Sequence, residues 1–397
     1  MTITLSAWSE SVCRLDPDAA AAIAATGLVQ VRVEQPPDLW RVVSDSKVGV
    51  AIAGGCVLRV EPKLAIPRLM FLLSYAGDER GWRQIGPHFE QEVDLFAAVA
   101  AAFAAQAERA LAPTPLHGYV TVEDRSSTLR GRLRVGEQLA RWHGQPLPLE
   151  ITRDDFTADI AENRMVRGAA ELLLRLPLVA PMTRRRLLRI RAVLDDVEPC
   201  PPSSAVRAPA PTRLNRHYGG VLALAELLLR GASISTRAGA VQGISFAFDM
   251  NKVFEQFLSI ALRTALERHG GQLVAQRGDA RLDVERHIRL VPDLVWLRGG
   301  RHRAVIDAKY KPLTNSRFPN ADAYQMLAYC TALELDRGFL VYAKDSLAQE
   351  RDHTVAQARK IIHVRAIDVE QEPRDLLRAV EALAGEVAAS TSNAASR

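Results

Sequence analysis

Residues 290–311 read LVPDLVWLRGGRHRAVIDAKYK. Two apolar runs flank a Gly-Gly pair, the pattern of a β-hairpin. Asp293 interrupts the first run, and Asp307 and Lys309 interrupt the end of the second. A carboxylate withdrawn from water costs several kcal/mol unless a partner compensates it. Residues two apart on a strand share a face, so Asp307 and Lys309 point the same way, with Ala308 opposite. Directly opposed residues of an antiparallel pair also share a face. Asp293 and Asp307 are equidistant from Gly300, so they oppose each other if the loop has an odd length. A two-residue Gly-Gly turn alone would put them out of register and on opposite faces. The pattern predicts an odd loop, or a bulge with the same effect.

Two carboxylates side by side repel each other. A hard divalent ion between them resolves the conflict, and Mg²⁺ takes a few carboxylates while keeping several waters. Lys309 beside such an ion could orient or deprotonate a water, or stabilise charge on a phosphate. Asp, Asp and Lys around Mg²⁺ suit hydrolysis of a phosphodiester. The competing reading makes Asp293 a turn residue after Pro292, and Asp307 with Lys309 an exposed ion pair worth about 0–1 kcal/mol. The surroundings favour the ion site. A helix carrying Glu255 precedes the hairpin, and the helix after it presents Gln325 and Tyr329 at i, i+4.

With 397 residues the chain is long enough for two or three domains, each with its own core. A net charge of +5 allows nucleic acid as a partner without demanding it. Cys13, Cys56, Cys200 and Cys330 are far apart and form no CxxC, which argues against a zinc ribbon or a disulfide framework. A reducing, cytoplasmic setting fits. The start, MTITLSAWSESVC, lacks a basic region followed by an apolar one, so no signal peptide is expected. Pro67 and Arg68 break LAIPRLMFLLSYA, so no membrane span is expected either. No GxxxxGK[ST] occurs, so nucleotide hydrolysis through a P-loop of its own is excluded.

Strand-like runs at 27–33, 47–54 and 56–62 precede the helical patterns RLMFLLSYAG and VDLFAAVAAAFAAQAERALA. Residues 118–125 and 127–141 bring a further strand-like pair. A helix over 157–176 has Thr157 as its expected N-cap. TRRRLLRIRAVLDD (183–196) carries five arginines. They read as phosphate contacts or as a solvated face with Leu187, Leu188 and Ile190 inward, and the second reading is favoured. Residues 198–212 carry five prolines and read as a long loop or linker. A helix over 218–230 follows. Then come a helix at 250–270, strands at 273–277, 287–297 and 302–310, a helix at 320–335, and strands at 338–345 and 360–369.

The expected fold is α+β or α/β and multidomain. Residues 1–115 form a small α+β region, 116–235 a mostly helical middle, and 236–386 a central mixed sheet flanked by helices. A disordered tail is expected over 387–397.

The C-terminal portion resembles the PD-(D/E)XK nuclease superfamily, with Pro292-Asp293 and Asp307-Ala308-Lys309 in its motif positions. Further segments are similar, in the same order, to the McrC family, the nuclease subunit of McrBC-type modified-cytosine restriction systems. They are VGVAIAGGCVLRVEPKLAIPRLMFLLSYAG, RGRLRVGEQL, DIAENRMVRGAAELLL, FDMNKVFEQFL and DAYQMLAYC. The proline-rich segment and the tail have no counterpart. The resemblance implies a Mg²⁺-dependent endodeoxyribonuclease acting on modified double-stranded DNA, such as DNA with 5-methylcytosine, in antiviral defence. It implies Asp293, Asp307 and Lys309 as catalytic residues and Asp293, Asp307 and Glu255 as metal ligands. Glu255, Gln325 and Tyr329 take supporting roles, helix packing being an equal reading for Tyr329. Tyr310 and Lys311 would extend toward phosphate. The implied partner is a hexameric AAA+ GTPase of McrB type. That partner binds the GTP, and its hydrolysis is stimulated by the docked N-terminal region. Two alternatives stand beside this reading: a non-catalytic adaptor of an AAA+ partner, and a PD-(D/E)XK nuclease of DNA repair.

Overall fold

The computed structural model describes residues 1–36, 38–77, 95–143, 145–176, 179–203, 205–237, 240–276, 278–310, 320–343 and 350–392. In chain order the elements begin with β1 (Thr2–Ser6), β2 (Glu10–Arg14), α1 (Pro17–Ala25), β3 (Val29–Val33), β4 (Leu39–Ser44), β5 (Lys47–Ala53), β6 (Cys56–Glu61), α2 (Ile66–Gly77) and α3 (Leu95–Leu111). They continue with β7 (Gly118–Ser126), β8 (Arg132–Leu133), α4 (Val135–Trp142), β9 (Leu149–Thr157), α5 (Ala161–Leu174), α6 (Pro181–Val193) and α7 (Gly219–Gly231). The last set is β10 (Ala232–Arg237), β11 (Ala240–Asp249), α8 (Met250–Glu267), β12 (Gln272–Ala275), β13 (Leu294–Arg298), β14 (Arg301–Lys309), α9 (Asn320–Ala332), β15 (Arg337–Ala343), β16 (Arg351–Thr354), β17 (Ile361–Ile367) and α10 (Pro373–Ser392). The chain forms two compact units: Met1–Ala98 together with Ser233–Arg397, and Val99–Ala232.

In the first unit, alternating apolar residues build a five-stranded sheet in the order β1-β6-β5-β11-β10. A smaller sheet, β2-β4-β3, lies in the same unit. The Asp16 carboxylate caps α1 by accepting from the Ala19 N–H at 2.7 Å. Ala19, Ala20 and Ile23 of α1 then join Ile3, Leu5, Leu28 and Leu58 in one core. An independent N-terminal domain over 1–115 is not what forms. β11 pairs with β5 from Gly243↔Ala53 to Asp249↔Lys47, so the N-terminal sheet is completed from far along the chain. Gly49 (φ +150°) makes this possible, because a Cβ there would lie 2.0 Å from the Phe246 carbonyl oxygen.

A second sheet has the order β12-β13-β14-β15-β17-β16. Its first three strands are antiparallel neighbours, β14, β15 and β17 are parallel, and β16 is an antiparallel edge. This is the mixed sheet expected for the C-terminal portion, lengthened by β16. The expected strand over 287–297 shortens to Leu294–Arg298, preceded by a loop with one bridge, Arg281↔Arg289. Met326, Tyr329 and Cys330 of α9 pack on Val295, Val305, Leu340 and Tyr342. Gly338 lets α9 approach, since a Cβ there would lie 2.2 Å from Met326 Sδ and 2.8 Å from Cys330 Sγ.

Asp249 caps α8, accepting from the Asn251 N–H at 3.1 Å. Val253, Phe254, Phe257, Leu258, Ala261 and Leu262 recur at helical spacing and are buried. The helix packs on α2 and α10. Phe257 meets the rings of Phe71 and Tyr75 at 5.8 and 5.5 Å. α10 was not expected. It continues to Ser392 with Val387 fully buried, so the tail expected to be disordered from 387 is helical to 392.

In the second unit, β7, β9 and β8 form an antiparallel sheet, and α5 packs on α6 and α7. The middle is therefore not simply helical. Residues 127–141 become the two-residue β8 and helix α4. Thr157 does not cap a helix. It ends β9, paired with Gly118, and its hydroxyl accepts from the Asp159 N–H at 3.0 Å; α5 starts at Ala161. α6 buries Thr183, Leu187 and Ile190, whereas Leu188 is 40% exposed and points away from the core expected for it. Arg186 pairs with Glu108 at 2.7 Å, and Arg184 donates to the Leu174 carbonyl at 2.9 Å. The described part of 198–212 is neither helix nor strand. It is fixed where Cys200 N–H donates to the Arg164 carbonyl at 2.9 Å. No helix of the described residues is long and apolar enough to cross a membrane.

Candidate functional site

The hairpin that begins at β13 turns through Gly299 (φ +60°) and Gly300 (φ +72°). Two successive positive φ values make the two-residue turn that suits the twist of paired strands. Arg298 opposes Arg301 and Leu297 opposes His302; beyond that, Trp296 opposes Ala304 and Leu294 opposes Ile306. Arg303 is the extra residue of a β-bulge. The bulge shifts the register by one, and the next step beyond Leu294↔Ile306 sets Asp293 against Asp307. Of the two devices expected, an odd loop or a bulge, the chain uses the bulge. The Ala308 N–H donates to Asp293 Oδ2 at 2.9 Å across this step.

Asp307 is 1% exposed, and its Oδ2 lies 2.6 Å from Lys309 Nζ. At that distance the Lys309 ammonium is both counter-charge and donor to Oδ2, and among the described residues Oδ1 has no hydrogen-bond partner. The Asp293 carboxyl is pushed up to about 8 by burial first, then by Asp307 and Glu255, against the pull of the Ala308 N–H and Lys309. Burial alone would lower the Lys309 ammonium, but Asp307 and then Asp293 outweigh it and hold the group above its ordinary value. The Tyr329 phenol is pushed up to about 12, by burial first and then by Asp307, so it stays neutral.

α9 holds the lysine. Gln325 Oε1 accepts from Lys309 Nζ at 3.3 Å, Gln325 Nε2 donates to the Tyr329 hydroxyl at 2.7 Å, and that hydroxyl donates to the Val291 carbonyl at 3.0 Å. Tyr329 therefore packs in the core and ends a polar chain that reaches Lys309 through Gln325. Glu255 of α8 acts on Asp293 by its charge. Its Oε1 accepts from Gln276 Nε2 at 2.9 Å. Among the described residues no three of His, Cys, Asp and Glu gather closely enough to hold one ion. Asp293, Asp307 and Glu255, the expected ligand trio, are not gathered as one group among the described residues, and Glu255 takes Gln276 as its partner. Tyr310 is buried against Phe254, with ring centroids 6.3 Å apart, and does not extend outward as expected. Lys311 lies outside the described residues.

Three contributors were missed in the sequence. Asn251 Oδ1 accepts from the Tyr310 N–H at 3.2 Å and pins the end of β14 to α8. Asp322 accepts from the buried Tyr342 hydroxyl at 2.6 Å, and Tyr342 is the register partner of Lys309 on the neighbouring strand. The Gln276 N–H donates to the Asp293 carbonyl at 2.8 Å. Asn251 and Gln276 are single polar residues at element ends, a signal too common to single out. Asp322 was visible only as an acid in the first turn of α9.

The buried Asp307 carboxylate, short of donors and facing a second carboxyl group, fits a cation-binding role. The family model described as McrBC 5-methylcytosine restriction system component matches residues 43–343. The chain belongs to the McrBC family. The match spans Glu255, Asp293, Asp307, Lys309, Gln325 and Tyr329. No curated relative matches this McrBC-family chain. A chain of the refined half-complex from a tetradecameric assembly of Thermococcus gammatolerans McrB AAA+ hexamers with bound McrC is similar, with a TM-score of 0.60 and 18% identity. The likeness covers 98% of this chain and 100% of that one, and shows a shared fold. The Thermococcus gammatolerans McrBC complex gives 0.41 at 19% identity, over 67% of this chain and 88% of that one. The family match and the shared fold bear out the McrC resemblance read from the motifs.

Proposed function

We propose that this McrBC-family chain is the endodeoxyribonuclease subunit of a restriction system, built on a PD-(D/E)XK-type fold around β13, β14, α8 and α9. The observation that carries the reading is Asp307: a carboxylate 1% exposed, opposed by Asp293, with Lys309 on Oδ2 and no partner on Oδ1 among the described residues. Asp293 and Asp307 would hold a divalent cation, Mg²⁺, which when bound lowers the pKa of water and neutralises phosphoryl charge. Two carboxylates, with water or phosphate in the remaining positions, are the ordinary ligand set for that ion. Lys309, kept charged by the two aspartates, donates from its ammonium to orient a water and offset charge on a phosphodiester oxygen. Gln325 and Tyr329 fix its direction. Glu255 lies near enough to act on Asp293 by its charge and accepts from Gln276.

The substrate is double-stranded DNA carrying a modified cytosine, as the family description supports. The partner is an AAA+ GTPase ring, by analogy with the McrB hexamers that bind McrC in the similar assembly. GTP belongs to the partner, whose hydrolysis this chain stimulates. The reading predicts that Asp307→Ala and Lys309→Ala abolish GTP- and Mg²⁺-dependent cleavage of methylated DNA while leaving partner binding and GTPase stimulation at the parent level. Cleavage retained by Asp307→Ala overturns the assignment. Stimulation that persists with no cutting by the parent chain would leave the adaptor reading in its place.

A further inference from the structure

Gln276 occupies an unusual position next to this site. It follows the last residue of β12, where Ala275 opposes Leu294. Its N–H continues the ladder by donating to the Asp293 carbonyl at 2.8 Å. Its φ of +47° then takes the chain out of the sheet in the left-handed region, which non-glycine residues enter rarely. From there its amide Nε2 reaches Glu255 Oε1 at 2.9 Å. One residue thus grips the backbone of the strand that carries Asp293 and the side chain of the acid on α8.

We propose that Gln276 is a positioning residue that sets where Glu255 stands relative to the Asp293–Asp307 pair, and so sets the affinity of the ion site. The inference rests on the cation-binding role proposed above. The physical argument concerns charge. A third carboxylate beside two others is repelled, and Glu255 already contributes to raising Asp293. A cationic partner would hold Glu255 but cancel its charge. A neutral amide holds it by donation and leaves the charge available to waters around an ion. The left-handed backbone at 276 directs the amide toward α8, and the ladder bond to Asp293 fixes the distance between the two acids. Groups of this kind around ion sites typically change metal affinity by about 10- to 100-fold when removed.

The test is a calorimetric titration of Mg²⁺, and of Mn²⁺ as a tighter probe, into the full chain. Gln276→Gly removes the side chain while suiting the left-handed backbone, so folding is spared. The expected result is about tenfold weaker binding in Gln276→Gly, with an unchanged melting temperature without metal. Glu255→Ala should weaken binding by a similar factor, and adding Gln276→Gly to it should cost nothing further, because the amide then has nothing to position. Binding within twofold of the parent in Gln276→Gly, or losses that multiply in the double variant, overturns the inference. Asp307→Ala separates this failure from the wider one: if it binds ion like the parent, the ion site itself is misassigned.

Discussion

Asp307 illustrates how a single side chain can serve function against stability. Its carboxylate is buried, faces another carboxyl group and has Lys309 on Oδ2, while Oδ1 has no hydrogen-bond partner among the described residues. An unsatisfied buried acceptor costs about 1–3 kcal/mol. Asp307→Asn removes the charge and most of the repulsion with Asp293. It should raise the melting temperature of the metal-free chain while removing metal-dependent cleavage, a trade common at functional sites. Paired thermal melts in chelator and in excess Mg²⁺ check this. The parent should gain stability from the ion and the variant should not. Equal gains in both would contradict it.

At the scale of elements, two glycines hold the architecture of the two units. Gly338→Val would drive a side chain into Met326 and Cys330 and lift α9, with Gln325 and Tyr329, from the sheet. A loss of about 1–3 kcal/mol is expected, read as a lower denaturant midpoint, together with slower cleavage. Gly168→Val should act in the second unit alone, because a Cβ there would lie 2.1 Å from the Cys200 carbonyl. It should loosen the proline-rich segment, seen as faster amide exchange near Cys200, while leaving the ion affinity of the first unit unchanged.

The elements also show what was legible beforehand. The hairpin, the helices on either side of it and the facing of Asp293 with Asp307 follow from period, turn chemistry and the cost of burying charge. The choice of a bulge over an odd loop did not, because both restore the same register; the bulge at Arg303 lets the favoured two-glycine turn form as well. β9 went unread because its charged residues, Arg153, Asp154 and Asp155, mask the alternation of a strand with mostly accessible faces. Thr157 looked like a helix cap because Ser and Thr favour that place, yet strand pairing with Gly118 continues through it. The resemblance implied Glu255 as a ligand, and the amide that donates to it lies 21 residues away in sequence, out of reach of local pattern.

For the whole molecule, the unexpected feature is that the first unit is discontinuous. β11 completes a sheet begun by β5, and α8 packs on α2, so the portion carrying the proposed ion site leans on residues before 98. A fragment of residues 236–386, the domain suggested by the linear pattern, would leave β11 unpaired and uncover Phe257. It is expected to melt without a cooperative transition or to aggregate. A fragment that melts cooperatively would show that the N-terminal sheet is dispensable. The proposed ion site is tested most directly by reading ion binding itself. The decisive measurement is therefore calorimetric titration of Mn²⁺ into the full chain and into Asp307→Ala, at equal concentration and pH. Saturable binding to the parent, lost in the variant, is the predicted result; no saturable binding to the parent, or the same isotherm for both, would contradict it.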